Sequence, residues 1–225
     1  MPGILDLLFP VACPLCQRLD KGQEVKKQGA CNDCYKEYIY PINQANVLTP
    51  DFIPSVSQVV CCSGYTGKMR DAMQRFKFNG ETYIGKEFGK IAYSVLKKTN
   101  CLENTDVVTT VPISDSRFKE RGYNQSYLIA KELCALSGCR YEELLIRNIQ
   151  GEAQSHLLLK DREKAAGERF APVADIDIQG KSILLIDDIL TSGSTLDQCG
   201  KILKDAGALY ITALCITSGR KEFLS

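Results

Sequence analysis

The sequence predicts an α/β fold, a parallel sheet with helices on both faces, preceded by a small four-cysteine module. From about residue 57 to the end, strand-like and helix-like segments alternate, as they do in parallel sheets covered by helices. Residues 181–188 are short and almost wholly apolar, which is typical of a strand buried on both faces. Four cysteines form two CxxC pairs near the N-terminus.

The helices and strands of the α/β region can each be predicted from a pattern in the local sequence. We predict strands at 57–65, 106–112, 143–149, 181–188 and 208–216, and helices at 66–78, 82–98, 124–137 and 195–206. The helix 82–98 is indicated by Ile84, Phe88 and Ile91 at helical spacing. Gly138 and Gly207 are predicted to end their helices. We therefore expect a module at 1–40, a linker or hood segment at 41–56 and the α/β domain at 57–225.

Composition excludes several classes of protein. The 225 residues are 44% hydrophobic and carry a net charge of +1, which excludes wholesale disorder and the basic surplus of a DNA-coating protein. No run approaches the ~20 apolar residues of a membrane span, and no basic segment precedes the first apolar stretch. We expect a cytoplasmic protein without membrane insertion, with its eleven cysteines reduced.

The cysteine spacing predicts a metal site. Cys13, Cys16, Cys31 and Cys34 form two pairs, and each pair can direct both thiolates at one ion. Four thiolates leave no open position, so we expect a structural zinc ion that stabilises a module too small to fold alone. The alternative is a redox-active CxxC motif.

A second motif, ILLIDDILTSGST at 183–195, predicts a phosphate-binding loop. Asp187 and Asp188 follow an apolar strand at the end where open α/β sheets bind ligands. The loop offers hydroxyls and backbone N–H groups at a helix N-terminus, which favour a phosphate dianion; it comprises Thr191, Ser192, Gly193, Ser194 and Thr195. We expect the aspartates to bind ribose hydroxyls or hydrated metal. The alternative is an ordinary helix cap beside solvated carboxylates.

Other segments restrict the chemistry. The Gly64-x2-Gly67-Lys68 segment lacks the residues of a P-loop, since Cys62 and Met69 occupy the required positions. Arg117, Lys119 and Arg121 bring three cations to a loop beyond a predicted strand end, although a solvated surface would explain them too. His156 is the only histidine and has no triad partner nearby, so we expect it on a helix surface. Asn124 is a candidate helix cap.

The 183–195 motif resembles the phosphoribosyl-pyrophosphate (PRPP) motif of type I phosphoribosyltransferases, whose fold is a five-stranded parallel sheet with a small hood. The cysteine pairs, KFNG, VPI, RGYNQ, a Gln154-to-Arg162 segment and this motif occur here in an order that is similar to the ComF family. Those are competence-associated proteins with an N-terminal zinc finger on a phosphoribosyltransferase-like domain. Where that family would have an asparagine after Arg162, this chain has EKAAGERF.

The resemblance implies roles for the motif residues. Asp187 and Asp188 would hold the ribose 2- and 3-hydroxyls, and residues 191–195 the 5-phosphate. We assign Arg117 and Lys119 to binding the pyrophosphate, and Arg121 and Lys77 to catalysis, with Mg²⁺ bridging pyrophosphate and ribose oxygens.

Three functions remain open at this point. The first is a Mg²⁺-dependent phosphoribosyltransferase with an unknown acceptor, linked to DNA uptake in natural transformation. The second is an accessory protein of the competence machinery that binds single-stranded DNA without turnover, with tyrosines that could stack on bases: Tyr35, Tyr38, Tyr40, Tyr65 and Tyr123. The third is a PRPP-sensing regulator. Because few residues follow the last predicted strand, we assume that only residues 1–56 can supply a hood, and we expect them to roof the site.

Overall fold

A computed structural model describes residues 11–19, 24–39, 46–147 and 169–223. Tyr40, the Gln154-to-Arg162 segment with His156, and the EKAAGE run lie outside the described residues. The strands are β1 (Val47–Leu48), β2 (Gln58–Gly64), β3 (Val107–Thr110), β4 (Arg140–Tyr141), β5 (Leu145–Arg147), β6 (Phe170–Pro172), β7 (Ser182–Leu190) and β8 (Tyr210–Ser218). The helices are α1 (Glu24–Gln28), α2 (Asn32–Tyr38), α3 (Gly67–Phe78), α4 (Tyr83–Lys98), α5 (Asp115–Arg121), α6 (Gln125–Ser137) and α7 (Ser194–Asp205).

The central sheet has six strands in the order β1-β2-β8-β7-β3-β4. Five of them are parallel, and the short edge strand β1 runs antiparallel to β2. β7 lies between β8 and β3, so its carboxyl end opens at the middle of the sheet. The predicted parallel α/β sheet is confirmed, with β1 as an antiparallel addition.

Helices cover both faces of this sheet. Alternate residues of one strand point to opposite faces, so Ile183 and Leu185 belong to one core and Leu184 and Ile186 to the other. The core with Leu184 contains the apolar sides of α3, α4 and α6, and the core with Ile183 contains that of α7. Leu136, in the last turn of α6, is exposed.

The cysteine-rich module rests on α3 and α4. The hydroxyls of Tyr35 and Ser94 lie 2.7 Å apart, and the guanidinium of Arg75 donates to the carbonyl of Pro14. Lys90 forms a buried ion pair with Glu87 at 2.7 Å and also reaches the carbonyl of Val25 at 3.4 Å. The described part of the module therefore lies against the outer side of the first two helices of the domain.

The described part of the 41–56 segment, residues 46–56, crosses to the other face of the sheet. After β1 it passes over α7, where the Ser55 N–H donates to Asp197 Oδ1 at 3.0 Å and Ile53 is fully buried. The segment therefore covers α7 and supplies part of the core on that face.

Two elements differ from the sequence-based prediction. Residues 115–121, expected to be a cationic loop, form helix α5, which begins after Ser114 accepts a hydrogen bond from the Arg117 N–H. β5 is a strand as predicted, but it pairs antiparallel with β6 in a separate two-stranded sheet. Among the described residues, no helix is long and apolar enough to cross a membrane.

Candidate functional site

A cleft of about 290 Å³ opens at the carboxyl ends of β3 and β7. It is built by four separate elements: the end of α3, the β3–α5–α6 connection, the β7–α7 connection and β5. Its lining comprises Lys77, Val111, Pro112, Ile113, Arg117, Arg121, Asn124, Gln125, Ser126, Arg147, Asp187, Asp188, Ile189, Thr191 and Thr195. Most of the predicted site residues are therefore brought together by the fold.

The two aspartates lie inside β7 rather than after it, because the strand continues to Leu190. Burial and the neighbouring carboxylate of Asp188 raise the pKa of Asp187 to about 7. Two hydrogen bonds oppose this shift: the Asp188 N–H donates to Asp187 Oδ1 at 2.8 Å, and the Ser126 hydroxyl donates to the same oxygen at 3.4 Å. Asp187 is thus poised to change protonation near neutral pH.

Lys77 faces this pair of carboxylates from the last turn of α3. Its ammonium lies 2.9 Å from Asp188 Oδ2, and both side chains are largely buried, at 17% and 13% exposure. The ion pair compensates negative charge at the bottom of the cleft. The sequence analysis assigned Lys77 to catalysis; the structure places its ammonium beside the aspartates.

The loop after β7 leads directly into the N-terminus of α7. Gly193 has a φ of +86°, in the left-handed region, and a Cβ there would lie 2.6 Å from the buried side chain of Ile53. Thr191 and Thr195 line the cleft. Ser192 and Ser194 instead form a hydrogen bond with each other, with their hydroxyl oxygens 3.1 Å apart. The helix N-terminus adds N–H groups without helical partners and the positive end of the helix dipole, which favour an anion.

Because residues 115–121 form a helix, the three predicted cations do not all point in the same direction. Arg117 and Arg121 are four residues apart and share one side of α5, which lines the cleft. Lys119 is exposed, is not among the residues of the cleft, and lies two positions from each arginine, on another side of the helix. The prediction that Lys119 contributes to the site is therefore not supported by its position, because it assumed a loop.

Arg121 is held in place by two neighbours. It donates from Nη1 to Gln125 Oε1 at 3.2 Å, and its guanidinium lies 5.3 Å from the ring centre of Phe78. Gln125 is itself buried, and its Nε2 has no partner among the described residues. A buried amide donor beside the cleft is a group that a bound ligand can satisfy.

Sequence reasoning missed four of the lining residues in this role. Asn124 was predicted only as a helix cap, which is confirmed because its Oδ1 accepts from the N–H groups of Ser126 and Tyr127 at 3.0 and 3.4 Å. Gln125 and Ser126 follow it at the start of α6, and the polar run after RGY was the available signal. Arg147 comes from β5, and no local pattern placed that strand beside the cleft.

The expected roof over the site is not formed by the described part of residues 1–56. No residue of 11–19, 24–39 or 46–56 lines the cleft, and residues 1–10, 20–23 and 40–45 lie outside the described residues. The assumption that only this segment could supply material beyond the sheet was wrong, because the β5–β6 pair lies outside the main sheet and brings Arg147 to the cleft.

The candidate stacking tyrosines serve other contacts. The hydroxyls of Tyr35 and Tyr38 bond to Ser94 and to the N–H of Lys68, between the module and the helices. Tyr123 donates to the carbonyl of Phe76 and packs its ring 5.8 Å from the Phe76 ring. Tyr65 is partly buried against the same core.

The four cysteines of the module converge as their spacing predicts. The sulfurs of Cys13, Cys16, Cys31 and Cys34 all lie within 4.8 Å of one another, so this cluster can hold one metal ion. The sulfurs of Cys16 and Cys31 lie 3.7 Å apart. Burial opposes ionisation of Cys16, but hydrogen bonds from Arg18, Cys34 and Cys13 together outweigh it and lower the pKa of this thiol to about 6. All eleven cysteines are free thiols in the structure.

Comparisons with known proteins agree with this architecture. Residues 129–222 match the family model of the phosphoribosyl transferase domain. Competence protein F of Haemophilus influenzae is 26% identical over 201 residues, covering 87% of this chain and 85% of that protein. DNA utilization protein YhgH of Salmonella typhimurium is 25% identical, covering 72% of this chain and 73% of that protein.

Among solved structures, the PRPP amidotransferase of B. subtilis is 17% identical with a TM-score of 0.47, covering 64% of this chain and 30% of that enzyme. The chain thus spans about a third of that enzyme's length. The matched domain model, the parallel sheet with helices on both faces and the four-cysteine cluster occur together with relatives named for competence. The chain therefore belongs to the ComF family, competence-associated proteins built on a phosphoribosyltransferase-like domain.

Proposed function

We propose that the cleft binds PRPP and that the protein transfers its phosphoribosyl group to an acceptor during DNA uptake. One observation carries this proposal: the carboxylate pair of β7 and the arginines of α5, which belong to different parts of the chain, line a single cleft beside the N-terminus of α7. PRPP carries a phosphate at one end, ribose hydroxyls in the middle and a pyrophosphate at the other. The cleft has a matching group for each part.

The proposed pose follows from charge. The 5-phosphate lies against the N-terminus of α7 between Thr191 and Thr195, where N–H groups and the helix dipole favour an anion. The pyrophosphate lies against Arg117 and Arg121. Asp187 binds the ribose hydroxyls between them. Like charges keep phosphate away from the aspartates, which fixes the direction of the ligand.

Magnesium fits the residues of this cleft. The two carboxylates of β7 are hard oxygen ligands of the kind Mg²⁺ prefers, and a bound Mg²⁺ would neutralise pyrophosphate charge. The Lys77 ammonium beside Asp188 already compensates part of the local charge.

The reaction requires positioning and charge stabilisation from this chain. The bond between ribose C1 and a pyrophosphate oxygen breaks with its electron pair on the pyrophosphate, and the acceptor's lone pair forms the new bond to C1 while its proton leaves. Arg121, fixed by Gln125 and Phe78, holds the departing negative charge. Asp187 and Asp188 lie on the ribose side, where positive charge develops at C1.

Pyrophosphate release tests the transferase. Wild-type protein with PRPP, Mg²⁺ and a panel of bases, amines and single-stranded DNA should release pyrophosphate with at least one acceptor, and the Asp187→Asn/Asp188→Asn variant should not. Lys119→Ala, an exposed cation outside the cleft, is the matched control and should keep wild-type turnover. PRPP binding without release for any acceptor would favour a PRPP sensor over a transferase.

Single-stranded DNA binding is the second candidate function. A relative is named a DNA utilization protein, and Arg117, Arg121 and Arg147 line one cleft that could follow a phosphate backbone. In that case the affinity for DNA would fall steeply with salt, fall again in Arg117→Ala/Arg121→Ala, and survive Asp187→Asn.

For the cysteine cluster we propose a structural zinc ion. Four thiolates without an open position are the donor set of structural zinc sites, and the module around them is small. The ion would hold the module in the conformation that packs on α3 and α4.

A further inference from the structure

The last turn of α3 touches the cysteine-rich module on one side and the cleft on the other. Arg75 and Lys77 are two positions apart in this turn, and at about 3.6 residues per turn their side chains point in nearly opposite directions. Arg75 contacts the module, whereas Lys77 lines the cleft. None of the roles assigned above involves Arg75.

The guanidinium of Arg75 joins three segments of the chain. Its Nη2 donates to the carbonyl of Pro14, which lies between Cys13 and Cys16 in the first cysteine pair. Its Nη1 lies 2.6 Å from Glu81 Oε2, in the turn that follows α3. The Arg75 side chain is only 13% exposed, and charge-assisted hydrogen bonds that are shielded from water are among the strong ones. The end of α3 is therefore tied to the module.

The end of a helix is weakly held by its own hydrogen bonds, because its last carbonyls lack helical N–H partners. The Asn79 N–H donates to the Arg75 carbonyl at 3.0 Å, and Gly80 then leaves the helix with a φ of +69°. Beyond this point the position of the chain depends on side-chain contacts. Those of Arg75 hold the last turn to Glu81 and to the module at the same time.

The module also contacts the first turn of α3. The Tyr38 hydroxyl accepts from the Lys68 N–H at 3.2 Å, and the Lys68 ammonium lies 2.9 Å from Glu37 Oε2. A Cβ at Gly67 would lie 2.6 Å from the Tyr38 hydroxyl, so the two surfaces are closely apposed. Because the module contacts both ends of α3, a change in its conformation would shift this helix relative to β7.

Lys77 is the group through which such a shift would reach the cleft. Its ammonium lies 2.9 Å from Asp188 Oδ2, and both side chains are largely buried. A charged hydrogen bond weakens steeply once its atoms are more than about 3.5 Å apart. Since burial restricts the lysine stem, the contact with Asp188 depends on where the last turn of α3 lies.

We infer that Arg75 is a positioning residue through which the cysteine-rich module holds Lys77 against the carboxylate pair of the cleft. A module that holds its metal keeps the Pro14 carbonyl in place and so supports the same contact. The position of Lys77 is independent of any ligand, and only its effect on PRPP binding rests on the proposed function.

Lysine labelling measures whether Lys77 is held. An amine-acylating reagent reacts slowly with a buried, ion-paired lysine, and mass spectrometry gives the rate for each lysine separately. In Arg75→Met, which keeps a long apolar stem, Lys77 should react roughly tenfold faster than in the wild type, as expected for the loss of a charged hydrogen bond. Lys90, whose side chain is 8% exposed, should remain slow, which excludes global unfolding as the cause.

Two further variants complete the labelling experiment. Glu81→Gln weakens the same guanidinium contact more mildly, so Lys77 should react at a rate between those of the wild type and Arg75→Met. Arg70→Met is the matched control, since it removes an exposed arginine of α3 that pairs with Asp71, and it should leave the Lys77 rate unchanged.

Chelation tests the contribution of the module. Removing metal from the wild type should speed the labelling of Lys77 and of Lys90, which reaches the Val25 carbonyl of the module at 3.4 Å. In Arg75→Met, chelation should speed Lys90 without speeding Lys77 further, because the link to Lys77 is already broken. An unchanged Lys77 rate in the chelated wild type would overturn the inference.

Calorimetry measures the effect on PRPP binding as a double-mutant cycle. Lys77→Met should weaken binding in Mg²⁺ roughly fivefold, because carboxylates without their ammonium repel an anionic ligand. Arg75→Met should weaken binding in the same direction, and the double variant should bind like Lys77→Met alone. Additive losses would overturn the inference, because Arg75 would then act by a route other than Lys77.

The outcomes separate this inference from the proposed function. Equal Lys77 rates in the wild type, Arg75→Met and Glu81→Gln would overturn the inference, while intact PRPP binding upheld the proposed function. Faster labelling of Lys77 in Arg75→Met, in a protein that binds no PRPP, would uphold the inference and overturn the proposed function.

Discussion

The ammonium of Lys77 lies 2.9 Å from the carboxylate of Asp188 and connects the last turn of α3 to the carboxyl end of β7. The pair stands beside Asp187, whose raised pKa reflects burial and the adjacent carboxylate. The two carboxylates of β7 and the Lys77 ammonium therefore lie next to one another in the cleft before a ligand arrives. A sugar or a metal ion that binds the acids must compete with Lys77 for them.

Removing Lys77 should destabilise the protein. Lys77→Ala leaves the carboxylate pair without its ammonium, and we expect a loss of about 2 kcal/mol in the free energy of unfolding at pH 8. The loss should be smaller at pH 5, where Asp187 is protonated and less charge needs compensation. Urea unfolding measures both values. Arg70→Ala is the matched control, since it breaks an exposed ion pair with Asp71 on the same helix and should cost ~0–1 kcal/mol.

Asp187 should make stability depend on pH in a defined direction. Its pKa is about 7 in the folded protein, whereas an aspartate in water has an ordinary pKa of 3.8, so between these values the folded state binds more protons than the unfolded state. Stability therefore falls as the pH rises through this window and levels off above pH 7. Relative to the wild type, Asp187→Asn should gain on the order of 2–3 kcal/mol between pH 5 and pH 8 in urea unfolding. A constant difference between the two proteins would contradict the raised pKa.

Gly193 is required for the shape of the phosphate loop. Gly193→Ala places a methyl group at a φ of +86° and 2.6 Å from the side chain of Ile53, which is fully buried and has little room to move. We expect a loss of about 1–3 kcal/mol in stability, together with weaker PRPP binding. Gly219→Ala adds a methyl group with no atom within 4 Å and serves as the control. Thermal unfolding that gives equal shifts for both variants would contradict this account.

The cysteine cluster should hold one zinc ion per chain. Cys34→Ser removes one of four converging sulfurs and should reduce the metal content of purified protein well below one equivalent, whereas Cys139→Ser, outside the cluster, should not. Chelation should also speed amide exchange in α4, because Lys90 and Glu87 lie under the module. Elemental analysis and hydrogen exchange measure these effects. Full metal content in Cys34→Ser would show that the sulfurs do not act as a set.

Local patterns predicted the parts of the fold that local physics determines. β7, its aspartates and α7 were predictable because an apolar strand, a small-residue loop and a helical repeat follow one another without interruption. The convergence of Cys13 with Cys34 was likewise predictable, since CxxC spacing restricts both pairs to one centre.

Such local patterns do not predict which side chains the folded chain brings to the cleft, or where the cysteine-rich module packs. The difference between Arg121 in the cleft and Lys119 in solvent depends on a seven-residue helix whose sequence has no long apolar period. Arg147 reaches the cleft because β5 pairs with β6 across a long stretch of chain, and a pairing of two three-residue strands leaves no periodic signal. The position of the module on α3 and α4 depends on contacts between distant residues, such as Tyr35 with Ser94.

Calorimetric titration of PRPP with Mg²⁺ tests the central claim most directly. The account predicts one site in the wild type, affinity reduced at least tenfold in Asp187→Asn/Asp188→Asn, and a similar loss in Arg117→Ala, whose charge-assisted hydrogen bonds are worth roughly 1.5–3 kcal/mol. Lys119→Ala, on the same helix but outside the cleft, should bind like the wild type. No PRPP binding by the wild type, or equal binding by all four proteins, would contradict it.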